Sequence, residues 1–264
     1  MGIPSWFAAL MGAIVMASLC AFAFLFQNAL RNGKVRSGDF GLPDLLASTV
    51  FFTWLIGLAI KNMTAPARVL TQQDLLSGGI LYVLIIGAIS GFLLIRKFNL
   101  KEQFGFRCVR WWKVPLFALG LLMVIFPVVG IAGAITQKIL GPDAEPQEIV
   151  KFFQQAVQEG DSSSMLITIL IGGILAPVAE ELMFRGYLYP LCKRYAGVIA
   201  GVVFNSVFFA AMHANVTALP ALCCLAVGFT LAYELTGSLL VPMVMHAVFN
   251  FTMFTVMLHS SAPQ

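Results

Sequence analysis

The feature that most restricts this chain is the recurrence of apolar runs long enough to cross a bilayer, separated by short polar segments. A membrane helix needs about 20 mostly apolar residues. The candidates are Trp6–Gln27, Leu45–Ile60, Ser77–Ile95, Val114–Gln137, Met165–Tyr189, Gly197–Asn215, Thr217–Tyr233 and Ser238–Leu258. No basic segment precedes the first run, and it is too long for a signal-peptide core, so it reads as a retained span. The second is short, and is expected to be tilted, extended at its ends or re-entrant. The expected fold is all-α, a polytopic membrane protein of about eight transmembrane helices. Residues 1–140 carry helices one to four, residues 141–164 a surface amphipathic connector, and residues 165–258 the remaining helices.

Composition closes off the other classes. Hydrophobic residues make up 59% of the chain and charged residues 11%, where a soluble domain carries about 25% charge. So few charges cannot coat a globule of this size, and a disordered chain needs low hydrophobicity. The net charge of +4 is no nucleic-acid footprint, because the basic residues sit in short loops between apolar runs. The five cysteines show no C-x-x-C spacing and read as small buried hydrophobes.

Positive charge in the loops sets orientation. The odd-numbered loops hold Arg31, Lys34 and Arg36, then Arg96, Lys97, Lys101, Arg107, Arg110 and Lys113, and near the fifth sit Arg185, Lys193 and Arg194. The even-numbered loops hold only Lys61, Arg68, Lys138 and Lys151. The expectation is a multi-pass cell-membrane protein with its N-terminus outside, its odd-numbered loops in the cytoplasm and its C-terminus outside. Two polar stretches interrupt the spans. Lys97–Lys113 is basic and carries Trp111 and Trp112, the composition of an interfacial anchor. Gly141–Ser164 places Ile149, Phe152, Phe153 and Val157 at helical spacing with acids opposite, the pattern of an amphipathic helix on the membrane surface.

Charge inside a membrane helix is costly, so each instance is a functional hypothesis. Within the spans lie Glu180, Glu181, Arg185, His213 and His246, with Glu234 and His259 near span ends. Glu181 and Arg185 stand at i and i+4, acid first, the better order for a helical ion pair. Glu180 points about 100° away and lacks that partner; a carboxylate so placed suits a general base. Phe209 and His213 share one helix face, and His246 and Asn250 share another. Glu234 is expected to be solvated at an interface, and His259 to be an ordinary helix-end residue. If the fifth span runs on to about Lys193, Glu180 lies roughly 20 Å from the odd-loop face and His213 roughly 24 Å. His246 and Asn250 lie roughly 12 and 18 Å from it. These depths permit one buried site, and Pro177 is expected to kink the helix one turn before the acids.

These residues resemble the three motifs of the CAAX protease and bacteriocin-processing (CPBP) family, intramembrane endopeptidases that include the type II prenyl-protein endoprotease. E-E-x-x-x-R stands as Glu180 to Arg185, F-x-x-x-H as Phe209 to His213, and H-x-x-x-N as His246 to Asn250. The resemblance covers about Leu166–Phe254, and the first four helices carry no motif that matches it. It implies a glutamic-type protease whose catalytic core is residues 165–258, acting on a membrane-associated or lipidated protein or peptide in the lipid bilayer. Glu180 with His213 would activate water, and His246 with Asn250 would stabilise the oxyanion. Glu181, Arg185 and Phe209 would support them, and no cofactor would be needed. Glu180, His213 and His246 are also a plausible three-ligand set for catalytic zinc, the less favoured reading. A non-proteolytic immunity or scaffold protein and a proton-coupled carrier are the other classes that the buried groups allow.

Overall fold

A computed structural model describes residues 5–64, 70–141 and 144–261. The described residues form helices α1 (Ser5–Asn32), α2 (Leu42–Thr64), α3 (Gln72–Ile95), the short α4 (Leu100–Gln103), α5 (Val114–Leu140), α6 (Glu148–Glu159) and α7 (Ser162–Leu170). There follow a π segment (Ile171–Leu175), α8 (Ala176–Glu181), a second π segment (Leu182–Leu188), α9 (Tyr189–Met212), α10 (Leu219–Thr236) and α11 (Leu240–Ser261). No strand occurs among the described residues. The second span is longer than its apolar run suggested, because Leu42–Asp44 and the residues after Ile60 continue the helix.

Among the described residues six helices are long and apolar enough to cross a membrane, and α2 adds a shorter apolar stretch. One of the six is the 51-residue run Ser162–Met212, more than twice what a core of about 30 Å requires. It folds back at Gly197, which sits at φ 82° and ψ 176°, a conformation that only glycine adopts freely. A Cβ placed on Gly201 would lie 3.2 Å from the Lys193 backbone nitrogen, whereas eight residues of straight helix span about 12 Å. The run is therefore two crossings joined by a tight hairpin, and the fold is an all-α bundle of eight. Large apolar side chains cover its outside, with Phe24, Val50, Met123 and Ile139 all exposed, as a lipid-facing surface requires.

Alternation of the loops is visible in their contacts. Lys34 N–H donates to Glu234 O, Leu239 N–H to Phe104 O, and the Tyr233 hydroxyl to Gln103 O, which gathers loops one, three and seven at one end. At the other end Glu145 N–H donates to Thr217 Oγ1, and Asn215 Nδ2 donates to Glu145 O. Asn215 thus lies beyond the sixth crossing rather than inside it. The amphipathic helix of loop four is α6. Its Phe153 is fully buried with its ring 4.8 Å from that of Phe254, so α6 packs down onto α7 and α11.

At the centre stands α10, which packs against α1, α5, α9 and α11. A Cβ on Gly228 would collide with the side chain of Ile125. The hydrogen side chain is what lets α5 and α10 approach, the usual device where no hydrophobic force draws membrane helices together.

Glu234 corrects the expectation of a solvated residue. It is fully buried at the C-terminal end of α10. Its Oε1 accepts from Lys193 Nζ at 2.6 Å and from the Tyr189 hydroxyl, while Oε2 accepts from Val35 N–H at 3.2 Å. Lys193 Nζ also donates to Val35 O at 2.9 Å. The carboxylate thus ties loop one to α9, because three donors converge to replace water. Glu234→Ala would strand Lys193 without its counter-ion, a change that costs about 3–5 kcal/mol for a buried pair. A lowered melting temperature in detergent, with Lys101→Ala unaffected, is the expected result of a thermal-shift measurement.

Candidate active site

The site begins with a helix that is deliberately irregular. In the first π segment Ala176 N–H bonds Ile171 O, five residues back. Pro177 has no N–H to offer the Gly172 carbonyl. That carbonyl is instead taken by Asn250 Nδ2, at 2.7 Å. The proline anticipated as a kink is thus absorbed by a π bulge, and the freed acceptor fixes the Asn250 side chain from α11. The second π segment follows α8 and holds Arg185 fully buried.

Glu181 is the hub of the charged residues. Its Oε1 accepts from Arg185 Nη1 at 2.9 Å and lies 3.0 Å from His246 Nδ1. Both the glutamate and the arginine are completely buried. Arg185 spends its remaining donors on Ala226 O (3.0 Å) and Thr230 Oγ1 (3.4 Å) of α10. Its guanidinium carbon is 4.6 Å from the Phe209 ring centroid and 5.4 Å from that of Phe229. Breaking up a buried charge pair's other hydrogen bonds is costly, and an arginine, with donors on three nitrogens and a face that stacks on rings, secures more of them than a lysine; Glu181 Oε2 is left without a partner among the described residues.

Both histidines are oriented through Nδ1. His213 follows the last residue of α9, and its Nδ1 lies 2.8 Å from Phe209 O. A carbonyl only accepts, so Nδ1 carries the hydrogen and Nε2 faces away. His246 is held the same way by the Glu181 carboxylate, with its ring stacked 4.9 Å from Phe229. Phe209 touches both imidazoles, at 4.7 and 5.9 Å.

The two free Nε2 atoms converge on one oxygen. Glu180 Oε2 lies 4.0 Å from His213 Nε2 and 3.9 Å from His246 Nε2. Neither is a direct hydrogen bond, and both gaps suit a small molecule bridging the groups. Tetrahedral zinc bound at about 2.0–2.1 Å would draw its ligand atoms to about 3.4 Å apart. Among the described residues no group of three or more His, Cys, Asp or Glu is arranged to hold a metal ion.

The other oxygen of Glu180 brings in a residue that the motifs did not indicate. The Tyr82 hydroxyl of α3 donates to Glu180 Oε1 at 2.9 Å. The available signal was a phenol in the middle of an apolar span, where its O–H must find a partner. Sequence reading left Glu180 without Arg185 as a partner, and the guanidinium does bond elsewhere, but the carboxylate is not solitary.

Tyr82, Glu180 and His213 form a wall between two cavities. One, of about 280 Å³, is lined by α2 and α3 residues such as Leu55 and Leu81 together with Met183, Phe184 and Met212. The other, of about 290 Å³, is lined by Gln147, Ile149 and Val150 at α6 and by His246, Asn250 and Met253 of α11. All four residues expected to be catalytic therefore line a single cavity, and Glu181, Arg185 and Phe209 lie directly behind them. His259, by contrast, is exposed, with Nδ1 on Thr255 O, and takes no part.

Residues 162–252 match the family model described as Type II CAAX prenyl endopeptidase Rce1-like, the stretch from the start of α7 to the middle of α11. That match agrees with the CPBP resemblance of the three motifs. No curated protein and no solved structure matches the chain.

Proposed function

We propose, from a membrane chain whose residues 162–252 match the Rce1-like CAAX protease model, that the protein is an intramembrane endopeptidase that hydrolyses a peptide bond of a membrane-associated or lipidated substrate. The observation that carries the reading is the convergence of two oriented imidazoles on one glutamate oxygen. Peptide hydrolysis needs an activated water and a stabilised oxyanion, and this arrangement has a candidate for each.

Water between Glu180 Oε2 and His213 Nε2 loses a proton to Glu180 as its oxygen attacks the scissile carbonyl. The C–O bond forms, and the carbonyl π electrons move to oxygen. His246 and Asn250 line the same cavity, and donors aimed at that developing charge are the largest single contribution in acyl transfer. His246 donates from Nε2 in its protonated form, whose charge the Glu181 carboxylate balances at Nδ1. Asn250 donates its second amide hydrogen, the first being held by Gly172 O. Glu180 then passes its proton to the departing amine, and the C–N bond breaks. Glu181 is thus an orienting partner of His246 as well as of Arg185. No nucleophilic serine or cysteine enters, and no cofactor is required.

Glu180→Gln removes the base and keeps the shape. The expected loss of proteolysis is about 10²–10⁴-fold, with cleavage by the wild type persisting after chelation of metal ions. It is measured by comparing membrane-protein termini by mass spectrometry in cells carrying either form at equal expression. Identical termini with either form would sink the protease reading and favour a scaffold or immunity role. Abolition by chelator, restored by zinc, would instead support Glu180, His213 and His246 as metal ligands.

Tyr82 is a positioning residue in this scheme. Its O–H holds Oε1, which leaves Oε2 turned to the imidazoles. Tyr82→Phe is expected to lower kcat about tenfold with KM within twofold, the size of one lost hydrogen bond to a charged group. A merely structural role would instead lower the melting temperature and leave kcat per folded molecule unchanged.

Loop charge favours an orientation with the odd-loop end in the cytoplasm, in which α6 and the cavity beside it lie toward the outer face. An impermeant thiol reagent applied to intact cells is expected to label Gln155→Cys of α6 in a cysteine-free background and to spare Lys101→Cys. The reverse pattern would invert the orientation.

A further inference from the structure

Away from the catalytic cavities, the odd-loop end of the bundle holds a concave site of a different kind. A cavity of about 430 Å³ lies between loop one, the start of α5 and the end of α10. Lys34, Arg110 and Lys113 line it, and no carboxylate does. Three other cations at this end are neutralised: Arg36 by Glu102 (2.7 Å), Arg96 by Asp44 (3.1 Å) and Lys193 by Glu234 (2.6 Å). Among the described residues none of the three cavity cations has such a partner. Three like charges around one concavity repel one another, and the chain supplies nothing of its own to relieve them.

The surroundings indicate what does. Trp111 and Trp112 lie between Arg110 and Lys113 and are 82% and 47% exposed. Exposed indoles beside basic residues mark the level of lipid headgroups. The Lys113 ammonium lies 5.1 Å from the Trp112 ring centroid, which tethers that cation at the same level. One helical turn further along α5, Phe117 lines the cavity and is 45% exposed, so the apolar side of the cavity faces the bilayer. A basic pocket between transmembrane helices, open to lipid on its apolar side, has the chemistry of an anionic headgroup site.

We propose that this cavity binds the phosphate of an anionic phospholipid, with Lys34, Arg110 and Lys113 making charge-assisted contacts to its oxygens and Phe117 bordering its acyl chains. Phosphate oxygens accept from several cations at once, which is what a three-sided basic wall offers. The proposal is independent of the catalytic reading, since none of these residues lines either catalytic cavity.

Native mass spectrometry of the full chain in detergent, titrated with dioleoyl phosphatidylglycerol or with dioleoyl phosphatidylcholine, tests it. The wild type is expected to retain phosphatidylglycerol in preference to phosphatidylcholine. Lys34→Ala/Arg110→Ala/Lys113→Ala is expected to lose that preference by about tenfold. Lys101→Ala/Arg107→Ala/Arg194→Ala, with the same change in charge at the same end but outside the cavity, is expected to stay within twofold of wild type. Equal losses in the two triple variants would overturn the site in favour of a diffuse surface charge. Displacement of the lipid by an equal concentration of inorganic phosphate would overturn the lipid as its source. Arg110→Gln alone, with the smallest effect on folding, is expected to reduce the preference several-fold, and no change in that variant would also count against the site.

Discussion

The arrangement of the motif residues leans on the Glu181–Arg185 pair. Two opposite charges removed from water in the middle of a bilayer bundle must satisfy each other and as many of their other hydrogen-bonding groups as packing allows; of the two side chains only Glu181 Oε2 is left without a partner among the described residues. Their joint solution organises four helices. Arg185, in the second π segment, reaches α10 through Ala226 O and Thr230, and lies against Phe209 of α9 and Phe229 of α10. Glu181 reaches α11 through His246. The result is that His246 is aimed, Phe209 is held against both imidazoles, and Glu180, one residue earlier, is turned away from the arginine toward the cavity. Orientation of an imidazole by a carboxylate is a recurrent way of fixing which nitrogen faces the chemistry.

The second constraint is backbone hydrogen bonding. A bilayer offers no water to an orphan carbonyl, so a helix interrupted by Pro177 must place its freed acceptor somewhere. Gly172 O finds Asn250. What looks like a defect in one helix thereby becomes the anchor that fixes a side chain of another. The two π segments flank α8, a six-residue helix that carries both glutamates, and together they set the angular positions from which Glu180 and Arg185 project to different sides.

The N-terminal helices carry no recognisable motif, yet α3 completes the site. Tyr82 lies outside the stretch that matches the Rce1-like model and supplies the hydrogen bond that distinguishes the two oxygens of Glu180. Residues of α2 and α3 also make one wall of the cavity on the far side of the glutamate. Leu55 and Leu81 share that cavity with Glu180 and His213, so the N-terminal half of the chain shapes the approach to the glutamate from that side.

Much of this was legible without coordinates. Bilayer thickness converts apolar runs into spans, so the all-α fold and the crossings at Glu180, His213 and His246 follow from composition and length. The cost of burying charge singles out the same residues, and the i, i+4 spacing of Glu181 and Arg185 predicts their pairing from helix geometry alone. Tyr82, the anchoring of Glu234 and the link from Asn250 to Gly172 were not legible. Each joins residues far apart in the chain, and which distant groups meet depends on how the helices pack. Glu234 shows the reason most clearly: at the end of an apolar run, burial and solvation are equally compatible with the sequence. Only the arrival of loop one and Lys193 from elsewhere in the bundle decides between them. Sequence determined which residues are too costly to be buried without purpose; tertiary packing decided which partners make that burial affordable.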